Sequence, residues 1–590
     1  MINQEEIRNV AIIAHVDHGK TTLVDQLFRQ SGMFRDNQQV AERLMDSMDL
    51  EKERGITISA KNGTFLHKGY RINIIDTPGH ADFGGQVERV LRMADGCLLL
   101  VDAQEGPMPQ TYFVLKKALA ANLPVIVVVN KIDKPAARPD WVVDQVFDLF
   151  VKLGAPDELL DFAVVYASAK DGYASAALPV TKQDMSAIAD IMVEQIPPPG
   201  GNPAGPLQMQ VSSLDASPYL GRLAIGKVTG GTLNINRGVL VCKRDGSSKP
   251  ARITKIYRFE GNAKVATEQA ICGEIVAVAG MDDITVGETF TDPDNPQPLP
   301  LIDIDPPTIA MNFLPNDSPF AGQEGKFVTS RHIEERLRRE TISDVALQVT
   351  PLQAGAGFSV AGRGELHLSV LIETMRREGY ELQVTRPQVI MREENGVKLE
   401  PYEELTIDVD EQYSGTVIEK LGGLKGKMLE MHQENGMTRL LYKIPTRGLL
   451  GYRSQFMTDT KGMGVMNYVF AEYGPYAGEI KNRSNGTLLA MENCTTVAYA
   501  LYNLQERGRL FVGPGERVYK NQIIGENSRE GEMVVNPAKG KKLTNMRASG
   551  SDENVVLTPP VKMSLEDCIA YINDNELVEV TPESIRLRKI

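Results

Sequence analysis

Tryptophan appears once in 590 residues and cysteine five times, as Cys97, Cys242, Cys272, Cys494 and Cys568, with no CxxC pair among them. That spacing offers neither a zinc site nor a disulfide frame, and scattered thiols suit a reducing compartment. No apolar run approaches the roughly 18 residues that a membrane helix requires. The opening residues, MINQEEIRNV, match neither a signal peptide nor a transit peptide, so a cytoplasmic protein with no membrane partner is expected. Basic residues are outnumbered, 64 Lys and Arg against 77 Asp and Glu, which leaves a formal net charge of −13. A surplus of that sign argues against non-specific coating of nucleic acid while leaving room for a local basic patch.

The remaining composition, 24% charged and 42% hydrophobic, is that of an ordinary soluble protein. The chain is too long for one core and should divide into about four or five domains. Four short motifs stand in order within its first third: AHVDHGKT (14–21), DTPGH (76–80), NKID (130–133) and SAK (168–170). Together they specify a guanine-nucleotide site.

Val10, Ile12 and Ile13 predict a buried strand, and Thr21 to Phe28 the helix after it. The backbone N–H groups of the intervening loop can converge on phosphates, aided by the positive end of the helix. Lys20 would reach the terminal phosphates and the Thr21 hydroxyl would ligate Mg²⁺. Ala14 stands where such loops usually carry Gly, a small-residue exchange that still permits the turn. The loop does not distinguish ATP from GTP; NKID does. The apolar run Pro124 to Val129 reads as a strand covered on both faces, delivering Asn130, Lys131 and Asp133 at its carboxyl end. The Asp133 carboxylate can accept from the ring N–H and exocyclic amine of guanine, a pair that adenine lacks. Lys131 can lay its stem along the base, and within Ser168, Ala169 and Lys170 the Ala169 N–H is expected to meet guanine O6. Asp76 would hold Mg²⁺ through water, Thr57 of the RGIT run would supply a second ligand, and the Gly79 N–H would sense the γ-phosphate. His80 follows Gly79 where small signalling GTPases place the Gln that orients attacking water, which makes it the candidate catalytic residue. His15 and His18 have no acidic or thiol partners at metal spacing and read as loop residues.

Alternating strand and helix patterns run from residue 1 to about residue 196 and end in the Pro/Gly linker IPPPGGNPAGP (196–206). Short β runs follow (LQMQVSSL, GRLAIGKV, GVLVCKR, ARITKIYRF, GEIVAVAG), as in a small β-barrel, up to a second Pro-rich stretch at 292–307. Residues 308–385 and 403–473 then share one order, strand–helix–strand–strand–helix–strand, the ferredoxin-like pattern. In the second, GLLGYRSQFMTDT is predicted as one helix. The expected fold is therefore multidomain α/β and β: a P-loop GTPase domain (1–200), a β-barrel (201–302), two ferredoxin-like α+β domains (303–394 and 395–480) and a C-terminal α+β domain (481–590). In the last, PAKGKKLTNMRASG (537–550) holds Lys539, Lys541, Lys542 and Arg547 with no acidic residue. It reads either as a solvated surface loop or as an RNA-contacting one.

HVDHGKTTL, EKERGITI and DTPGHADF, with GRGELHLSVLIETMRREG and LLGYRSQFMTDTKGMG (449–464), resemble the translational GTPases of the elongation factor G branch over about the first 480 residues. That factor carries an extra domain between RPQV-like and EPY-like segments; here RPQVIMRE (386–393) runs almost directly into LEPYEEL (399–405), which argues against translocation. MDSMDLEKERGIT (45–57), PTRGLLGYRSQF (445–456) and KGKKLTNMRASGSDE (539–553) closely resemble the BipA/TypA family. The resemblance implies a GTPase (GTP to GDP and phosphate) that binds the 70S ribosome near its intersubunit factor site. It further implies contacts to rRNA and tRNA, a role in large-subunit assembly and in adaptation to cold or other stress, and ppGpp as a ligand of the same pocket. Carried over by residue, it makes Asp17, His18, Gly19, Lys20, Thr21 and Thr22 the phosphate loop. It adds Asp17 as a ligand for a monovalent cation such as K⁺, and Val16 and Ile56 as an apolar gate beside His80. No arginine finger is evident in cis, so slow turnover activated by the ribosome is expected, with a monomer as the default state. Two rivals remain: an elongation factor proper, and an RNA-binding assembly scaffold whose nucleotide site is a latch.

Overall fold

The computed structural model describes residues 3–15, 17–32, 49–54, 57, 60–78, 84–180, 184–217, 221–281, 283–301, 306–344, 346–434, 436–480, 483, 485–540 and 556–590. The chain forms two compact units, Met1–Asp305 and Pro306–Ile590.

The first unit opens with a seven-stranded sheet. In chain order its strands are β1 (Ile7–Ala14), β2 (Lys61–His67), β3 (Tyr70–Asp76), β4 (Gly96–Asp102), β5 (Val125–Asn130), β6 (Val164–Ser168) and β7 (Tyr173–Ser175). Their spatial order is β2-β3-β1-β4-β5-β6-β7. The five strands from β3 to β6 run parallel, and β2 and β7 flank them antiparallel. β1, β4 and β5 are buried along their whole length, as near-continuous apolar runs under two helical layers should be. The order reverses at β1, so the carboxyl end of that strand opens into a crevice. Helix α1 (Lys20–Gln30) leaves from there and packs Leu23, Val24, Leu27 and Phe28 onto the sheet.

An antiparallel barrel follows, with Met209, Val228, Val241, Ile256, Val278 and Phe290 in its core. ARITKIYRF, expected as one strand, is two. Ser248–Arg252 pairs with Gly238–Cys242, whereas Lys255–Glu260 pairs with Ile275–Ala279 and Ala263–Thr267. Between them Ile253 turns into the core and the Thr254 N–H donates to Ala279 O, so the chain changes sheets at a corner. The barrel is tied to the nucleotide sheet by polar contacts. Thr64 of β2 and Gly261 exchange backbone bonds at 2.9 Å, Asn9 of β1 donates to Gly273 O at 3.0 Å, and Lys227 pairs with Asp95 at 2.9 Å.

In the second unit both predicted ferredoxin-like motifs form. Ile309–Pro315, Gln348–Pro351, Phe358–Gly362 and Leu382–Thr385 make the first sheet, with helices Ser330–Ser343 and Glu365–Arg377. Val397–Asp410, Lys427–Glu434, Met437–Pro445 and Val465–Pro475 make the second. The helix predicted over GLLGYRSQFMTDT is broken into Thr446–Leu449 and Tyr452–Asp459. Gly451 between them sits at φ +75°, and a Cβ there would lie 3.0 Å from the Ala570 Cβ. Its N–H donates to the Glu365 carboxylate at 3.2 Å, so a contact remote in sequence sets the break.

The first ferredoxin-like sheet does not stop at its fourth strand. Leu382–Thr385 pairs antiparallel with Glu576–Val580, and the ladder continues through C-terminal strands into one sheet of eleven strands. Val578, Val580 and Leu587 enter the same core as Met311, Phe313, Leu382 and Val384. Each such side chain contributes about 1.5–3 kcal/mol by burial, and an unpaired apolar edge strand invites aggregation. A protein ending at residue 480 is therefore expected to aggregate or bind hydrophobic dye, as read by analytical sedimentation and dye fluorescence. A monodisperse truncation that binds no dye would contradict this.

Candidate nucleotide site

The phosphate loop joins β1 to α1 across two positive-φ residues, Asp17 (+66°) and Gly19 (+95°). Glycine is required at the second, because a Cβ at 19 would stand 2.5 Å from the Asn130 Nδ2. Lys20 opens α1 and aims back across the loop: its Nζ lies 2.8 Å from the Asp76 Oδ1 and donates to Thr77 O at 2.5 Å. The Thr77 hydroxyl in turn donates to Ile12 O at 2.5 Å, which holds the end of β3 against β1. Thr21 is half-buried in the first turn, Thr22 and Asp17 are more open, and Thr57 and Asp76 are buried.

Asn130, at the end of β5, is a brace as well as a base-loop residue. Its Nδ2 donates to His18 O at 2.8 Å and its Oδ1 accepts from the Ala169 N–H at 2.9 Å. The Ala169 N–H, expected against guanine O6, is thus engaged by a side chain whose position the sequence does not disclose. Lys131 follows in the left-handed region (φ +63°), uncommon for a residue with a Cβ. Its Nζ reaches Asp17 O at 2.5 Å, so its stem spans from the base loop to the phosphate loop. Asp133 and Lys170 are exposed, while Ser168 is buried and donates to Asp171 at 2.8 Å.

Two features escape the motif reading. His18 is fully buried rather than a free loop residue. The Asp102 N–H donates to its Nδ1 at 3.3 Å, and its Nε2 stands 3.6 Å from the Glu105 carboxylate. The nearby His18 ring is the main cause holding the Glu105 carboxyl below its ordinary value. Asp102 itself ends β4. Burial opposes its ionisation, but hydrogen bonds from Lys131, the Gln104 N–H and Lys134 outweigh that and bring it down to about 2. The available signal was its place, since it closes the apolar run Cys97 to Val101 at the carboxyl end of a parallel strand.

Val16, Ile56, Gly79, His80, Lys541, Lys542 and Arg547 lie outside the described residues; Lys539 is described and exposed. For Mg²⁺, the Thr21 hydroxyl and the buried Asp76 carboxylate are hard oxygen donors at one end of the loop. They suit an ion that takes one or two protein ligands and completes its shell with water and phosphate. Among the described residues no group of three or more His, Cys, Asp or Glu could hold a metal by itself.

The 14–21 loop at the switch point of this sheet, braced to the Asn130 and Ala169 loops and followed by a barrel, has the arrangement of a GTPase of the translation-factor class, as the matching family domains show. Residues 5–198 match the elongation factor Tu GTP binding domain, 221–291 elongation factor Tu domain 2, 397–484 the elongation factor G C-terminus and 485–590 the TypA/BipA C-terminal domain. The chain is 51% identical over 588 residues to the large ribosomal subunit assembly factor BipA of Bacillus subtilis, covering 99% of this chain and 96% of that protein. The namesakes in Synechocystis and Escherichia coli K12 are 53% identical over 585 residues and 52% over 587, covering 99% of this chain and 98% and 97% of theirs. The chain belongs to the BipA family and is a GTPase that hydrolyses GTP, with the Mg²⁺ dependence of that domain. A crystal structure from Thermus thermophilus shares the fold at 17% identity (TM-score 0.56), covering 80% of this chain and 97% of that one.

Asn130→Ala removes both braces and leaves the His18 carbonyl and the Ala169 N–H without that partner. Stranding buried polar groups costs about 1–3 kcal/mol, so calorimetric GDP affinity should fall about 10- to 100-fold. Wild-type affinity in the variant would show that the braces do not shape the site.

Proposed function

We propose that this protein is a ribosome-dependent GTPase that binds the 70S ribosome and its large subunit and serves large-subunit assembly and translational adaptation to cold or other stress. The observation that carries the reading is full-length identity of 51–53% to relatives named as large ribosomal subunit assembly factors. It is supported by a nucleotide site whose loops are already braced against one another. The place of action is the cytoplasm, on the ribosome, as a monomer. The proposed division of labour follows the five domains at 1–200, 201–302, 303–394, 395–480 and 481–590. Contacts to rRNA or tRNA fall to Lys539, Lys541, Lys542 and Arg547. From the family resemblance we extend the ligands to ppGpp and the cations to K⁺, with Asp17 as its ligand.

In this reading Asp133 selects guanine, Lys131 covers the base, and Ser168, Ala169 and Lys170 close the base loop. Asp17, His18, Gly19, Lys20, Thr21 and Thr22 wrap the phosphates, and Lys20 exchanges its pairing with Asp76 for the β- and γ-phosphate oxygens. Mg²⁺, when bound, neutralises charge between those phosphates. Thr21, Thr57 and Asp76 would hold it, Asp76 through water. Gly79 reports the γ-phosphate, and Thr57 and Gly79 fall away once it is lost. His80 passes between Val16 and Ile56 and aligns water for attack on the γ-phosphorus when ribosomal RNA engages it.

His80→Ala is expected to keep GTP affinity within about twofold while losing most of an activation that runs on the order of 10³- to 10⁵-fold in stimulated GTPases. Nucleotide titration and phosphate release with and without 70S ribosomes separate the two effects. Full stimulated turnover in the variant would remove His80 from the mechanism.

A further inference from the structure

The Asp102 side chain has no solvent exposure, yet it is ionised at the meeting point of three loops. Its Oδ2 pairs with the Lys131 Nζ at 2.9 Å and the Lys134 Nζ at 3.1 Å. Its Oδ1 accepts from the Gln104 N–H at 2.7 Å and the Glu105 N–H at 3.3 Å. The loop that follows is itself fixed: Arg138 donates to Gln104 O at 2.9 Å and stacks its guanidinium 3.7 Å over the Trp141 ring. Lys131 is therefore held at both ends, its backbone in the left-handed region and its ammonium between Asp102 and the Asp17 carbonyl.

We propose that Asp102 is a positioning residue for nucleotide retention: it stretches Lys131 from the base loop to the phosphate loop, so that covering the base and closing the phosphate loop happen together. This rests on the guanine reading of Asn130, Lys131 and Asp133. A free lysine loses rotamer freedom when it settles on a base; one stretched in advance bears that loss on folding, and the nucleotide leaves more slowly. Removing Asp102 loosens the ammonium without touching the nucleotide directly. The effect falls on dissociation, as it does for most changes to a preformed site.

The test is stopped-flow release of fluorescent N-methylanthraniloyl-GDP from the full chain. Asp102→Asn keeps the shape and removes the charge, and release should accelerate about tenfold, the equivalent of one charge-assisted contact. Lys131→Met keeps a linear stem without the ammonium and should accelerate release similarly. The double variant should be no faster than the faster single one. Wild-type release in a folded Asp102→Asn protein, or multiplying effects in the double variant, overturns the proposal. Should Asp102→Asn not fold, Asp102→Glu moves the charge by one methylene and should give an intermediate acceleration; wild-type release there overturns it equally. Asp133→Asn tests the underlying reading separately, because an amide presents the complement of xanthine. An undiminished preference for guanine over xanthine nucleotides in that variant overturns the base site itself, whatever Asp102 does.

Discussion

The two hydrogen bonds of the Asn130 side chain set the distance between the loops that must share one nucleotide. One reaches the phosphate loop at His18 and the other reaches the SAK loop at Ala169. Because β1 and β5 are separated by β4 in the sheet, no backbone ladder could make that connection. It has to be a side chain, and one that donates and accepts at once, which an amide does and a carboxylate does not. Gly19 follows from the same constraint, since any Cβ there would collide with the amide. Lys131 and Asp102 add a second strut parallel to the first, and His18 a third, so that the crevice is shaped before a ligand enters.

The same sheet carries the connection to the barrel. Asn73 of β3 donates to Asn9 at 2.6 Å and accepts from Thr64 at 2.7 Å, all within the layer whose other end holds Asp76 and Thr77. Asn9 continues to Asp95 at 2.7 Å and to the barrel at Gly273. A buried polar chain of this kind specifies one arrangement, because displacing any member strands its neighbours. In the second unit the principle differs: backbone pairing and shared apolar core, not side-chain relays, join the C-terminal segment to the first ferredoxin-like sheet. Buried polar residues accompany that joint. Glu579 accepts from Ser318 at 2.8 Å and from Tyr519 at 2.5 Å, and Glu381 from three backbone N–H groups of the 322–325 loop.

What could be read in advance was local. Val125–Asn130 is a strand because five consecutive apolar residues on a parallel sheet need no alternation, and its end therefore locates Asn130 and Asp133. Gly19 and Lys20 mark a phosphate loop in company with the motifs that follow in order, DTPGH, NKID and SAK. What could not be read depends on partners remote in the chain. The break at Gly451 is set by Glu365 and Ala570, and the split of ARITKIYRF by which barrel strand each half meets. Asp102 is an unremarked acid until the sheet places Lys131 and Lys134 beside it. Sequence marks the ferredoxin-like motif through Leu382–Thr385 but does not say that Glu576–Val580 extends it, because an edge strand and an inner one differ chiefly in their neighbours.

In the proposed mechanism a pre-shaped guanine-nucleotide site stays nearly idle until the ribosome completes it. The most direct measurement is the rate of GTP hydrolysis by the full chain with Mg²⁺, alone and across a titration of 70S ribosomes. Slow turnover alone, rising by on the order of 10³-fold or more and saturating with ribosomes, is the expected result. A rate that ribosomes leave unchanged would contradict it.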